Sequence, residues 1–161
     1  MIQRIQTVYL LLVVALGITL CFVPVLQLAT PEEATELHIY NMSATGLEEV
    51  TSEDGQATAY LQGLWGLMVT TALIPLLALV DIFLYKKRLL QARLNIFTVC
   101  LCAGYYGVLA IYVWQAKLAL GVDWSILPWA AIPLVCLVLT LMATRRILHD
   151  EALVRAADRI R

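Results

Sequence analysis

Asp81 is the one acidic residue that falls inside a long apolar segment of this sequence. An ionisable group in such a segment is a candidate for proton or ion handling, because a buried charge without a partner is costly. Asp81 lies five residues before Lys86, so the two are roughly 7–8 Å apart along a helix. This shallow position favours a structural role, either in contact with water or in an ion pair. The candidate partners are Arg4, Arg93, Arg145 and Arg146.

Two adjacent tyrosines, Tyr105 and Tyr106, lie near the middle of another apolar segment. A phenol hydroxyl at that depth needs a hydrogen-bond partner, so at least one of the two should face the protein interior. Ala103 and Gly107 are four residues apart and form a pair of small residues that lets another helix approach closely. We expect this pair to pack within the chain. The alternatives are a dimer seam and a contact with a lipid or quinone.

The remaining reactive side chains form no catalytic or metal-binding motif. His149, Asp150 and Glu151 are consecutive, so their side chains point around a helix and do not converge on one metal ion. The acidic residues within 32–36 and 48–54 lack the alternating pattern of a calcium loop, so we expect a solvated acidic surface. The four cysteines lie in apolar segments, where packing is their usual role. The sequence therefore predicts no catalytic residue, metal site or cofactor, and an enzyme is the least favoured class.

Four long apolar segments position these residues. The chain has 161 residues, of which 61% are hydrophobic, whereas soluble domains have about 45–50% apolar residues. Helices of about 20 apolar residues are long enough to cross a bilayer. We predict an all-α membrane protein, a single domain over residues 1–161, in which four spanning helices form an antiparallel bundle. The predicted spans are residues 7–28, 61–85, 94–119 and 126–143.

Two polar segments complete the predicted architecture. In the outer loop of residues 29–60, apolar and polar residues alternate over 37–40 and 47–51, on either side of a turn-forming segment at 44–46. This pattern predicts a small β-hairpin, and the alternative is an irregular loop. In residues 144–161, apolar residues recur at helical spacing among charged ones. This tail is predicted to be an amphipathic cytoplasmic helix that either continues the fourth span or lies along the membrane surface.

The charges divide between the two ends of the predicted spans. Ten of the eleven Lys and Arg residues lie at one end, and only Lys117 lies at the other, where acidic residues predominate. Because short cytoplasmic loops carry an excess of Lys and Arg, this division places both termini in the cytoplasm. Besides the bilayer itself, we expect this basic surface to contact anionic phospholipid and a protein partner or a second copy, and no nucleic acid. Its candidate interaction residues are Arg4, Lys86, Lys87, Arg88, Arg93, Arg145 and Arg146.

The sequence resembles one protein family along its full length. Three stretches carry the resemblance: MIQRIQTVYL at residues 1–10, YKKRLLQARL at 85–94 and DEALVRAADRIR at 150–161. They are similar to the four-span inner-membrane proteins of Bacteroidetes grouped as domain of unknown function 4293. The resemblance implies a bacterial inner-membrane location and no particular activity. The order of spans and loops also looks like that of claudins, although the paired loop cysteines are absent, and this likeness concerns topology alone.

These features favour a membrane protein without catalytic activity that serves as an accessory, scaffold or partner-binding subunit. The reason is that its distinctive residues lie on the basic cytoplasmic face rather than inside the bundle. The alternative is a protein that handles a small molecule, a lipid or an ion, in the manner of a transporter and as an oligomer. Asp81, the tyrosine pair and the prolines within the spans motivate that alternative.

Overall fold

A computed structural model describes residues 3–29, 38–50, 57–84, 87–121 and 123–158. The described part of the chain is mostly helical, as predicted, but its sheet is larger than the predicted hairpin. In chain order its elements are α1 (Gln3–Phe22), β1 (Leu26–Ala29), β2 (Ile39–Met42), β3 (Leu47–Val50), β4 (Ala57–Gln62), α2 (Trp65–Phe83), α3 (Arg88–Leu120), β5 (Asp123–Ile126), a short 3-10 helix (Pro128–Ala131) and α4 (Ile132–Asp158).

The four helices, which we call the helical body, pack side by side. Both α1 and α3 pack against α2 and α4. Three helical segments are long and apolar enough to cross a membrane: Trp65–Phe83, Leu89–Ala119 and Pro128–His149, with mean hydropathies of 2.1, 2.0 and 1.8. The apolar part of α1, Gln6–Phe22, is shorter. The length and composition of these helices agree with the predicted second, third and fourth spans.

α1 and α2 approach each other closely at Gly17 and Pro75, a contact that the sequence did not reveal. A Cβ atom placed on Gly17 would lie 2.9 Å from Cδ of Pro75, a distance that real side chains do not tolerate. Pro75 is buried within α2, and its ring occupies the space that a side chain at position 17 would need. Glycine at position 17 therefore sets the distance between these helices.

The five strands form one antiparallel sheet in the order β4-β3-β2-β1-β5. The β2–β3 hairpin confirms the predicted one, and its turn is closed by a 2.9 Å bond from the amide of Ser43 to the carbonyl of Gly46. The strands β1, β4 and β5 adjoin the same ends of the four helices. We call this the sheet end of the helical body, and we call the opposite end, where α2 is followed by α3, the turn end.

Three predicted span boundaries are wrong because these strands were assigned to spans. The first span was placed to residue 28, but α1 ends at Phe22 and β1 follows. Pro24 has a fixed φ and no N–H, so it favours an end to the helix rather than a bend. The second and fourth spans were placed from residues 61 and 126, which lie in β4 and β5. Strands packed on an apolar helical body carry the same residue types as a span, so hydropathy does not separate them.

The two remaining helix ends agree better with the sequence. α3 ends before Gly121, which has a φ of 62°, and glycine is the residue that adopts this left-handed conformation most readily. α4 runs without interruption from Ile132 to Asp158, so the predicted amphipathic tail continues the fourth helix. Pro133 is the second residue of α4, a position in the first turn that tolerates proline.

The inner face of the sheet adds to the core at the sheet end. Leu26 pairs with Met42, and Leu28 pairs with Tyr40. All four side chains are buried, as expected of alternate residues on one face of a strand. The residues of the edge strand β5 are instead exposed. Among the strands whose side chains are described, β1 and β2 therefore contribute to this core and β5 does not.

Candidate functional site

The sequence-predicted polar residues fall in two separate places. Asp81 lies in the last turn of α2, at the turn end. Tyr106 reaches the beginning of α4, at the sheet end. Its neighbour Tyr105 is fully buried between them. The structure therefore does not bring Asp81 and the tyrosine pair into one site.

Asp81 is buried deeply, with only 1% of its surface exposed. Neither of its carboxylate oxygens has a hydrogen-bond partner among the described residues. The side chain of Asn95 lies close enough to act on the carboxylate, but its Nδ2 also lacks an acceptor. The side chain of Gln91 fixes the main chain beside them by donating a 3.2 Å bond to the carbonyl of Asp81. The carboxylate is therefore enclosed by α3 without being held by an ion pair.

The predicted ion pair of Asp81 with an arginine is wrong for the arginines whose side chains are described. Arg93, Arg145 and Arg146 are exposed, whereas Asp81 points into the helical body. A long guanidinium side chain keeps its charged end in water at little cost, while burying it beside a carboxylate carries a large desolvation penalty. Arg4 lies in α1, but its side chain is outside the description.

The other predicted basic residues lie around the same turn. Lys87 precedes α3 and is exposed, and Arg88 is the first residue of that helix. The side chain of Arg88 and all of Lys86 lie outside the described residues. No described carboxylate lies within ion-pair distance of Lys87, Arg93, Arg145 or Arg146. These four exposed cations, which we call the basic end, therefore remain available for contacts outside the described chain.

Uncharged polar residues around Asp81 were missed in the sequence. Gln6, Gln91, Asn95, Thr98 and Thr144 are all buried. The first four lie in the part of their helix nearest the turn end, whereas Thr144 lies near the middle of α4. Threonine bonds to its own helix, as Thr98 does to the carbonyl of Leu94 at 3.1 Å, which reduces its polar cost. The available signal was the presence of glutamine and asparagine in apolar segments. Of these residues, Gln91 and Asn95 lie directly beside Asp81.

Tyr106 joins α3 to α4 through its hydroxyl group. The hydroxyl donates a 2.8 Å bond to the carbonyl of Ala130 and accepts a 3.1 Å bond from the amide of Leu134. These two main-chain groups are four residues apart, the spacing of an α-helical hydrogen bond. The hydroxyl thus bridges them where the 3-10 helix gives way to α4. The predicted need of a mid-span tyrosine for a partner is confirmed at Tyr106.

Tyr112 plays a similar part at the beginning of α2. Its hydroxyl accepts a 3.2 Å bond from the amide of Gly66, the second residue of that helix. The first amides of a helix have no partner within the helix, and the preceding Leu64 supplies no side-chain cap. The sequence gave no signal for this bond. Two tyrosines of α3 therefore hold the first turns of α2 and α4.

Tyr105 differs from its neighbour although it is more deeply buried. Its ring meets that of Tyr106 edge to face, with centroids 5.6 Å apart. The hydroxyl of Tyr105 has no hydrogen-bond partner among the described residues. One of the two tyrosines does face the interior, as predicted. Tyr105 is the buried one, whereas Tyr106 is the one whose hydroxyl is hydrogen-bonded.

The pair of small residues on α3 does not pack against another described helix. Ala103 and Gly107 are both exposed, and a Cβ atom on Gly107 would meet no atom within 4 Å. The predicted close packing within the chain is therefore wrong at this position. The small residues face outward because the inward face of α3 carries the larger Cys102, Tyr105 and Leu109.

An open apolar groove of about 960 Å³ lies at the sheet end. One wall is α3 from Tyr106 to Lys117, and the other runs from Trp124 in β5 to Leu134 in α4. Lys117 is the one charged residue among the described residues of this lining. Pockets that bind small molecules have volumes of roughly 300–1,000 Å³, so this sheet-end groove has the size and chemistry to hold an apolar ligand with one polar group.

On the outer part of the sheet, charge concentrates around Glu49. Its carboxylate contacts Nδ1 of His38, and Glu49 is the register partner of Tyr40 in the neighbouring strand. Burial, and to a smaller extent the charge of Glu49, raise the pKa of Tyr40 above its usual value. In the described part of the chain, no three His, Cys, Asp or Glu side chains come together where they would hold a metal ion.

Comparison with known proteins identifies a family but no activity. Among curated proteins none matches this chain. A family model does match it, over residues 2–160, and its description is a domain of unknown function, DUF4293. Because the match extends over nearly the whole sequence, the chain belongs to the DUF4293 family.

Proposed function

We propose that this chain is a non-catalytic protein of a bacterial inner membrane that serves as an accessory or scaffold subunit and binds its partner through the basic end. The observation that carries the proposal is the exposure of Lys87, Arg93, Arg145 and Arg146 without described ion pairs. Four exposed cations that have no ion pair with a described carboxylate, at one end of an apolar body, attract acidic groups of a protein partner or of anionic lipids. Near a membrane surface each contributes about 1 kcal/mol.

The outward-facing side chains of the helices support membrane insertion. Large apolar residues on all four helices are exposed, as Phe22 at 82%, Phe83 at 73% and Leu118 at 74% illustrate. Soluble proteins rarely expose contiguous apolar surface on this scale, whereas lipid stabilises it. The tryptophans at the sheet end, Trp65, Trp114, Trp124 and Trp129, are also exposed, as expected at a membrane interface. The excess of Lys and Arg at the basic end supports a cytoplasmic location for that end.

Cysteine labelling tests this orientation. In a variant without native cysteines, Arg146→Cys should react with a membrane-impermeant maleimide only after the cells are opened. Asp123→Cys, at the sheet end, should react in intact spheroplasts. Labelling of Arg146→Cys in intact spheroplasts would overturn the proposed orientation and, with it, a cytoplasmic partner.

Partner binding is tested by purification in mild detergent after crosslinking in membranes. The wild-type chain should be recovered with a partner, and the triple variant with Gln at Arg93, Arg145 and Arg146 should lose it. The matched triple variant with Lys at these positions keeps the charge and should retain the partner. Repeated recovery of the lone wild-type chain under crosslinking contradicts the role of an accessory subunit.

A second function, the handling of a lipid or small molecule, is favoured by the sheet-end groove. Its volume of about 960 Å³ is within the range of ligand pockets, and Tyr106 forms part of its lining. Asp81 does not take part, because it lies at the other end of the helical body. Mass spectrometry of the purified protein should find a lipid retained after delipidating washes. A chain free of lipid, which also takes up none when lipid is added, would contradict this function.

A further inference from the structure

We infer that the sheet-end groove binds one glycerophospholipid of the leaflet on the sheet side, with an acyl chain along α3 and the phosphate on Lys117. This inference rests on the second proposed function and specifies its ligand. It starts from the groove between α3 and the segment of residues 124–134. Several of its lining residues, including Ala110, Trp114 and Leu134, are exposed, so surrounding lipid can reach them.

The length of the groove suits an acyl chain. Its α3 wall extends from Tyr106 to Lys117, which corresponds to about 16 Å along the helix axis. The hydrocarbon core of a bilayer is about 30 Å thick, so the acyl chain of one leaflet extends over about half of that. An acyl chain laid along this wall from the level of Lys117 would therefore end near Tyr106, beside the beginning of α4.

The chemistry of the groove changes along this length. Around Leu109, Ala110 and Val113 the lining is aliphatic, whereas Trp114 and Trp124 stand near Lys117 at the outer part. Tryptophan prefers the level of lipid headgroups. The Tyr106 hydroxyl at the inner end is already engaged by main-chain groups of α4. An apolar chain followed by a polar headgroup matches this sequence of surfaces.

Lys117 supplies the recognition of phosphate. It is exposed, and no described carboxylate lies within ion-pair distance of its amine. It is also the one basic residue that the sequence places at the sheet end. A lysine in the last turn of a helix interacts favourably with the helix dipole. That interaction does not depend on an apolar groove and therefore does not explain why Lys117 lies beside one. An ammonium group at the mouth of an apolar groove is complementary to a lipid phosphate.

The inference can be tested by native mass spectrometry of the delipidated full chain. The probes are a phosphatidylglycerol and the diacylglycerol with the same acyl chains, which lacks the phosphate. The wild type should retain the phosphatidylglycerol roughly fivefold better, the ratio expected from one lysine near a membrane surface. Lys117→Gln should bring this ratio close to one, while Lys117→Arg should preserve it.

A second pair of variants tests the place of the acyl chain. Ala110→Trp fills the groove and should reduce retention of both lipids. Ala103→Trp, at an exposed position of the same helix outside the groove, should retain both. Helical content and the unfolding temperature show whether each variant is folded.

The possible outcomes separate the inference from the function on which it rests. If Lys117→Gln keeps the wild-type preference, or if Ala110→Trp binds like Ala103→Trp, the inference is overturned although lipid binding stands. If the wild type retains neither lipid, the proposed lipid-handling function itself is overturned, and the inference with it.

Discussion

Two tyrosine hydroxyls at the sheet end of the helical body and the Asp81 and Asn95 side chains at the turn end differ in their hydrogen bonding. At the sheet end, the hydroxyls of Tyr106 and Tyr112 bond to main-chain groups at the beginnings of α4 and α2. At the turn end, the carboxylate of Asp81 and the amide nitrogen of Asn95 are buried without hydrogen bonds to the described residues. The first arrangement stabilises the fold, whereas the second lowers its stability.

The difference indicates that the tyrosine hydroxyls stabilise the packing at the sheet end, whereas the buried carboxylate lowers the stability of the fold at the turn end. A tyrosine hydroxyl is neutral, so its transfer into an apolar interior needs only one or two hydrogen bonds. A carboxylate needs several donors or a counter-charge, and the described surroundings of Asp81 supply neither. Sites that break a local rule of stability are often sites of function. The turn end is therefore a candidate for function, and substitutions at both ends test the difference between them.

The largest effect is expected from Tyr106→Phe. This change removes a hydroxyl that bonds to both Ala130 and Leu134 and leaves two main-chain groups without that partner in an apolar setting. Each orphaned group costs about 1–3 kcal/mol, so the free energy of unfolding should fall by about 2 kcal/mol or more. The measurement is unfolding in detergent, followed by circular dichroism.

The neighbouring Tyr105 provides the matched control for this prediction. Tyr105→Phe removes a buried hydroxyl that has no described partner, so the stability should stay the same or rise. Equal destabilisation by the two changes would contradict the assignment of the helix-bridging role to Tyr106 alone.

Asp81→Asn should act in the opposite direction. The variant replaces a buried, unpaired carboxylate with a neutral amide of the same shape, and it removes a desolvation cost of about 1–2 kcal/mol. We expect a higher unfolding temperature than that of the wild type. Asp123→Asn, at an exposed position, should leave the temperature unchanged. A lower unfolding temperature for Asp81→Asn would show that the carboxylate has a stabilising partner.

Tyr112→Phe should have a smaller effect, because its hydroxyl holds only the amide of Gly66. The expected loss is about 1 kcal/mol. A Cβ atom on Gly66 would lie 3.0 Å from the Tyr112 hydroxyl, so Gly66→Ala pushes this oxygen away. The double variant should therefore lose less stability than the sum of the single ones. Strict additivity would mean that the hydroxyl and the glycine are independent.

The helical part of this fold was predictable because long apolar segments have few structural solutions. The β2–β3 hairpin was predictable from its alternation around residues 44–46. In contrast, β1 and β5 were not, because pairs such as Leu26 with Ile126 join segments that are far apart in the chain. The residues of β1 are nearly as apolar as those of α1, so hydropathy merged most of β1 with the first span. β5 contains Asp123 and Ser125, and only its last residue, Ile126, was assigned to a span.

The candidate sites show the same limit. The sequence singled out Asp81 and Tyr106 by residue type and position. In the structure, Asp81 is buried without a hydrogen-bond partner among the described residues, and the hydroxyl of Tyr106 bonds to the beginning of α4. The sequence could not reveal the bond of Tyr112 to Gly66, or the groove beside Lys117, because each depends on the packing of α3 against a distant segment. The sequence also did not determine the direction of the Arg93 side chain, which could have pointed either into water or towards Asp81.

The smallest effect is expected in the sheet, where charge can be varied by pH. Burial and the charge of Glu49 raise the pKa of Tyr40 above the usual value of about 10. The folded state therefore holds the phenol proton more firmly than the unfolded state does. The stability that this difference in pKa contributes is complete below about pH 10 and is lost as the pH rises through the higher folded-state pKa of Tyr40.

Thermal unfolding measured at intervals from about pH 9 to pH 11 should show this loss. Tyr40→Phe should flatten the pH dependence, because the group that titrates is gone. Glu49→Gln should reduce the dependence only in part, because burial is the larger cause of the shift and remains. If Tyr40→Phe and the wild type lose stability in parallel, other groups govern the alkaline response. The charge across the β2–β3 hairpin would then have no measurable effect on the fold.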